Sequence, residues 1–91
     1  MSSGPLDGGN VIERETYEQF IRDLGFYVRE QAIAAKRQRD DARAGSEQKS
    51  LSFGRAVAYS EVISAMQDYL RAFAIPLENM CLQDFDPDEL L

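Results

Sequence analysis

The sequence predicts an all-α protein: an antiparallel helical hairpin that associates into a four-helix bundle and ends in a short acidic tail, helical or irregular. Apolar residues recur at helical spacing in two long segments, and glycine, proline and polar clusters separate these segments. The chain has 91 residues, one Cys and no His. A core of this size is marginal without an internal disulfide or a common zinc site. Self-association is therefore the expected source of additional stability.

The N-terminal part of the sequence predicts a flexible lead followed by one long helix. Residues 1–9 are rich in glycine and contain a proline, which is typical of an irregular segment. Asn10 is a suitable N-cap, and Gly45 can adopt the left-handed conformation that ends many helices. We therefore expect the first helix to span about residues 11–44.

A polar connector and a second helix complete the predicted hairpin, which occupies residues 10–75. Residues 45–52 are polar or small in most positions and suit a turn between antiparallel helices. The second helix is expected at about residues 51–75, because Pro76 disfavours helical geometry in the residue before it. Residues 76–91 form the acidic-hydrophobic tail.

One face of the first helix is predicted to form the seam of the hairpin. Gly25 lies at the edge of this face, and its cost to helix stability predicts a tight crossing by another helix. Phe26 and Ile33 lie on the opposite side and predict a second interface, which would join two dimers or receive another protein. The seam residues, at about 100° per residue, are Tyr17, Phe20, Ile21, Leu24, Val28, Ala32, Ala35 and Ala42.

The second helix is apolar over about half of its circumference, which exceeds what one partner helix can cover. The remaining polar strip, which includes Ser60 and Gln67, is expected to face water. The excess apolar surface predicts self-association. The residues assigned to it are Tyr59, Val62, Ile63, Met66, Tyr69, Leu70 and Phe73.

Charge is distributed unevenly along the predicted hairpin. Residues 29–55 hold seven bases and four acids, a net charge of +3, and the remaining residues hold three bases and twelve acids, a net charge of −9. The turn end is then basic and the end with both termini is acidic. Two hairpins in antiparallel orientation bring opposite charges together, so an antiparallel homodimer is expected.

The tail has two open interpretations. Its apolar residues can fold back over the open end of the bundle. Alternatively, Phe85, Leu90 and Leu91 stand among acids and can be offered as an acidic-hydrophobic peptide to another protein.

The second helix also carries a family resemblance. Residues 53–75 contain the pattern G-R-x-x-A-Y-x-E-V-I-S-x-M, followed by an acidic, leucine-containing end. The pattern is similar to a segment of a family of small bacterial helical proteins without an assigned activity, with Gly54, Arg55, Tyr59 and Glu61 as the matching special positions. The resemblance implies a bacterial cytosolic origin.

Composition and motifs favour a protein-interaction function. Without His the chain has no Ser-His or Cys-His pair and no Glu-x-x-His metal motif. We therefore expect no enzyme activity, no cofactor and no metal. The predicted function is a small self-associating helical interaction module, an adaptor or regulator, whose partner is a second copy of the chain. Another protein is a further possible partner, bound through the tail or through Phe26 and Ile33.

Two alternative functions remain open. The basic hairpin tip could serve a nucleic-acid-associated regulator, although Asp40 and Asp41 interrupt the basic run and the net charge is −6. Glu15 and Glu18 form an E-x-x-E pair that a small metal-dependent enzyme could use, although the second helix offers no E-x-x-D to complete the site. The lack of a long apolar run and of a signal peptide predicts a cytoplasmic protein without a membrane partner.

Overall fold

Two long helices pack against each other and form the body of the molecule, which is 61 Å long. The computed structural model describes the backbone of residues 3–91 and the side chains from Glu13 onward, and within this range it is helical without strands. This confirms the predicted all-α class. No helix among the described residues is both long and apolar enough to cross a membrane. The elements are α1 (Ser3–Asp41), α2 (Glu47–Ala72), a first 3₁₀ helix (Leu77–Met80) and a second 3₁₀ helix (Pro87–Leu90).

α1 differs from its predicted bounds at both ends. Its backbone starts at Ser3. The predicted lead and the predicted Asn10 cap lie outside the residues whose side chains are described. At the other end α1 stops at Asp41 instead of residue 44: the amide of Ala42 is shared between the carbonyls of Gln38 and Arg39, at 3.0 and 3.3 Å, and the amide of Ser46 then donates to the carbonyl of Arg43 in a turn at 3.0 Å. The chain then turns through Gly45, whose φ is +79°.

α2 begins and ends earlier than predicted. Ser46 is its N-cap, since the Ser46 Oγ accepts a hydrogen bond from the amide of Lys49 at 3.1 Å. At the C-terminal end, Ala74 adopts a left-handed conformation with φ of 57°. The amide of Ile75 then donates to the carbonyl of Leu70 at 2.8 Å, and that of Ala74 donates to the carbonyl of Arg71 at 3.1 Å. These two bonds form a Schellman motif. The motif ends the helix at Ala72, before the position where Pro76 was expected to end it.

The core between the helices is built largely from small residues. This differs from the predicted seam: Tyr17, Phe20 and Leu24 are exposed, because α1 is rotated so that Gly25 and the alanines of its second half face inward. Small side chains allow the chain segments to approach closely, but they bury little apolar area. The buried apolar residues are Ala32, Ala35, Ala56, Ile63, Leu70, Leu82 and Leu90.

The tail folds back along the hairpin and completes this core. Leu82 and Leu90 are fully or almost fully buried, and Phe85 packs against them. Gly25 provides the space for the first 3₁₀ helix, because a Cβ at this position would lie 1.9 Å from the carbonyl oxygen of Met80. The close approach predicted at Gly25 therefore exists, but the neighbouring segment is the tail and not α2.

Candidate association surface

Seven of the exposed large apolar residues in the described part of the chain lie along the two long helices in two regular sets, the last of them at the C-cap of α2. On α1 they follow the spacing i, i+3, i+7 and i+10, and on α2 they recur at i, i+7 and i+11, so each set forms a stripe along its helix. The exposed fractions range from 42% to 71%. We call this surface the aromatic face. Its residues are Tyr17, Phe20, Leu24, Tyr27, Val62, Tyr69 and Phe73.

Both stripes lie on the same side of the hairpin. At about 100° per residue, the exposed stripe of α1 precedes its buried stripe, which contains Ala32, by about 90°. The exposed stripe of α2 precedes its buried stripe, which contains Ile63, by about 115° in the same sense. Because the two helices run antiparallel, the same sense of rotation directs both stripes toward one side. The aromatic face is therefore one continuous surface.

One hydrogen bond sets which residues of the helices lie side by side, and a shared cavity agrees with it to within two residues. The Arg55 guanidinium donates a hydrogen bond to the side-chain oxygen of Gln38 at 2.6 Å, and Ile21 and Leu70 line the same cavity. Because the helices run antiparallel, each step of one residue forward along α1 corresponds to one residue back along α2. The hydrogen bond between Gln38 and Arg55 therefore places Phe20 level with Phe73. It also places Leu24 level with Tyr69. The two stripes thus overlap along the half of the hairpin remote from the turn.

The aromatic face is large for a protein of this size. A large aromatic side chain presents about 150–250 Å² when fully exposed, so seven apolar residues at the observed exposures present on the order of 800 Å². A standard specific interface buries about 800 Å² on each partner. The largest apolar patch of a typical monomer covers about 300–600 Å². The surface is thus large enough for a stable protein interface.

The residues predicted for self-association divide between this face and the core. Val62, Tyr69 and Phe73 belong to the aromatic face. Ile63 and Leu70 are instead buried within the chain, because the helix phase that faces α1 contains them. The other two residues of the prediction, Tyr59 and Met66, are half-buried and pack against the core cluster.

The opposite side of the hairpin, the tail face, is covered by residues 77–91. Gln67 is buried and donates hydrogen bonds to the carbonyl oxygens of Leu82 and Phe85, at 3.2 and 2.7 Å. The polar strip predicted to face water is therefore partly buried: Ser60 and Gln67 are both enclosed. The tail backbone provides the acceptors that make this burial of Gln67 favourable.

Two arginines of the predicted basic tip also hold the tail. Arg39 is buried and donates to the carbonyl oxygens of Leu90 and Leu91, the latter at 3.1 Å. Arg29 donates to the carbonyl oxygen of Cys81 at 2.8 Å, and its guanidinium lies 5.3 Å from the ring centroid of Phe85. Sequence reasoning missed these roles of Arg29, Arg39 and Gln67, because they depend on where the tail backbone lies.

The tail also changes the predicted charge distribution. Asp84, Asp86 and Glu89 line a cavity together with Arg29 and Lys36, so these tail acids lie beside basic residues and not at the end of the hairpin that holds α1's start. This neutralises part of the predicted charge separation on the tail face. On the side of the aromatic face, Arg55 remains exposed and stacks over the ring of Tyr59 at 6.0 Å.

The two residues predicted for a second interface are in different environments. Phe26 is 54% exposed. Ile33 is half-buried and lines a cavity with Phe85 and Leu90 of the tail, so the tail covers part of it.

Of the residues predicted as a partner-binding tail, Leu91 remains exposed. Sequence reasoning missed Tyr27, although its spacing from Tyr17, Phe20 and Leu24 indicates the same stripe.

The carboxylates of the enzyme alternative lie at the surface of α1. Glu15 and Glu18 are exposed, and their side chains point about 60° apart around the helix at 100° per residue. In the part of the chain that the structure describes, no three Cys, Asp or Glu residues are grouped as they would be around a metal ion. Of the basic tip, Arg37 and Arg43 are exposed to solvent.

Comparison with protein-family models, with curated proteins and with solved structures finds no match for this chain. The bacterial resemblance of the second helix therefore stays a prediction. The geometry of the chain itself carries the functional argument.

Proposed function

We propose that the chain is a small self-associating helical interaction module, an adaptor or regulator, in which two hairpins form a four-helix bundle through their aromatic faces. The observation that carries the proposal is the imbalance between the core and the aromatic face. Among the side chains that the structure describes, only three large apolar ones, Ile63, Leu82 and Leu90, have about 2% or less of their surface exposed. The aromatic face exposes seven large apolar residues, five of them aromatic.

This imbalance favours a second copy as the occupant. A small domain with few large buried side chains is marginally stable. Burial of the aromatic face in a dimer would add burial of large apolar side chains, of which the core has few. A symmetric dimer uses the same surface on both partners. The aromatic face suits this, because its two stripes are similar in composition and overlap along the hairpin. Folding and assembly are then coupled.

The test is the mass of the full chain in solution across protein concentration. We expect sedimentation equilibrium to give a dimer or a larger assembly at micromolar concentration. Phe73→Ser should lower the association constant about tenfold or more, because a largely exposed aromatic ring of the aromatic face would lose its contact with the second copy. A folded chain that stays at 10.3 kDa at all concentrations contradicts the proposal.

Phe26→Ser is the matched control. It removes the same side chain from a similarly exposed position of α1 that lies outside the aromatic face. We expect this variant to associate as the parent does. Equal weakening by both substitutions would indicate that general surface apolarity, and not the aromatic face, drives association.

A further inference from the structure

α1 extends beyond the rest of the hairpin at one end. It starts at Ser3, whereas α2 ends at Ala72, which lies level with Ile21 in the register set by Gln38 and Arg55. The backbone of α1 before about residue 16 therefore has no α2 segment beside it. Most of the stability of a protein helix comes from packing against a neighbouring segment, so another segment alongside would stabilise this part.

We propose that the second copy supplies this segment in an antiparallel arrangement, with its hairpin tip beside the N-terminal half of α1. This inference rests on the proposed function and specifies the orientation of the two copies. The centre of the aromatic face lies near Leu24 and Tyr69. A two-fold axis at this level, perpendicular to the helices, superimposes the two aromatic faces. It also lays the uncovered start of each α1 along the turn half of the other copy.

Charge on the aromatic side of the hairpin fits this orientation. The axis brings Glu13 of one copy to within about one helical turn of the level of Arg55 of the other. At 100° per residue, Glu13 lies on the same side of α1 as the aromatic stripe of that helix. Arg55 lies on the same side of α2 as its stripe, and its side chain is exposed. Because α1 of one copy lies over α1 of the other in this arrangement, the two charges stand on diagonally related helices, and symmetry repeats their longer-range attraction twice. In a parallel arrangement the two Glu13 side chains would instead share one end of the bundle, where like charges are unfavourable.

The first experiment places single cysteines on the aromatic face of the full chain, in a Cys81→Ser background that removes the native thiol. In the antiparallel dimer Leu24 of one copy lies opposite Leu24 of the other. We therefore expect Leu24→Cys to form a disulfide-linked dimer under mild oxidation. Tyr17→Cys is the matched control at the end of the same stripe. It lies level with Gln31 of the second copy and should not link to itself.

The parallel arrangement gives a different cross-linking pattern. There, α1 of one copy lies over α2 of the other, and Leu24 faces Tyr69. A mixture of Leu24→Cys and Tyr69→Cys chains would then link as a mixed dimer, while Leu24→Cys alone would not. This pattern would overturn the proposed orientation and leave self-association intact. A parent chain that is monomeric would overturn the proposed function as well.

The second experiment reverses the two charges separately. Glu13→Arg and Arg55→Glu should each weaken the homodimer about threefold at low ionic strength, because two attractions between charges on diagonally related helices become repulsions. An equimolar mixture of the two variants should associate as tightly as the parent, since all its cross-chain pairs are again opposite in sign. Homodimers of undiminished affinity would overturn the antiparallel orientation.

Discussion

The tail face and the aromatic face of the hairpin differ in whether the chain covers them and in the types of residue that they present. The tail face is covered by the chain's own residues 77–91 and presents polar groups, chiefly Gln67 and Arg39, to backbone carbonyls. The aromatic face presents large apolar side chains and has no cover from the described part of the chain. The side covered by the tail thus carries the buried polar side chains, and the uncovered side carries the exposed aromatic ones.

This difference between the two faces has a physical cause. A tail of short 3₁₀ helices leaves several backbone carbonyls without partners of their own, and these need donors when they are buried. Gln67, Arg29 and Arg39 supply the donors. A second hairpin, in contrast, satisfies its backbone within its own helices and requires only apolar contact. Polar residues thus mark the contact with the tail, and aromatic residues mark the contact expected with a second copy.

The largest effect is expected from removing a buried tail residue. Leu82 is fully buried in the core cluster. Leu82→Ala should lower the free energy of unfolding by about 2–5 kcal/mol, from lost apolar transfer and the remaining cavity. Urea unfolding, followed by circular dichroism at fixed protein concentration, measures this change.

Leu91→Ala is the control for Leu82→Ala. Leu91 is 59% exposed at the end of the same tail, so its truncation should change the unfolding free energy by less than about 0.5 kcal/mol. If Leu82→Ala were equally mild, the tail would not contribute to the core, and the contrast between the two faces would be lost.

A smaller effect is expected from crowding the tail against α1. A Cβ on residue 25 would lie 1.9 Å from the carbonyl oxygen of Met80, so Gly25→Ala should displace the first 3₁₀ helix. We expect a loss of about 1–3 kcal/mol, measured as above. Gly54→Ala in α2 is the matched control: no atom lies within 4 Å of its Cβ position, and helix propensity predicts a gain of about 0.5–1 kcal/mol. A gain for both variants would indicate that the tail does not pack at Gly25.

Much of the fold could be predicted from the sequence because it follows from local patterns. The helical period, the turn at Gly45 and the excess apolar surface of α2 are visible in the chain. The N-cap at Ser46 lies within the predicted polar connector, a few residues before the predicted start of the second helix. These features depend on neighbours in sequence, which the chain itself specifies.

The rotation of α1 and the position of the tail could not be predicted, because they depend on contacts between distant residues. A stripe count treats every apolar residue as a candidate for the core, and it therefore assigned Phe20 to the seam. The tail competes for the inner side of α1 and approaches closely at Gly25. The space between α1, α2 and the tail is then too narrow for the large side chains of α1, and those such as Phe20 lie on the outer surface. The end of α2 was misplaced for a related reason: nothing in the sequence indicates that Ala74 takes a left-handed conformation.

The smallest effect is expected where the tail begins. Ala74 has φ of 57°, a conformation that costs an L-residue roughly 1–2 kcal/mol and that glycine adopts freely. Glycine also raises the entropy of the unfolded chain, which offsets part of this gain. Ala74→Gly should therefore raise the free energy of unfolding by about 0.5 kcal/mol, whereas the control Ala72→Gly, at the end of α2, should lower it by about 0.5–1 kcal/mol. Urea midpoints with equal slopes measure both changes. A loss of stability in both variants would indicate that α2 continues through Ala74 in solution and that the tail leaves the hairpin by a different turn.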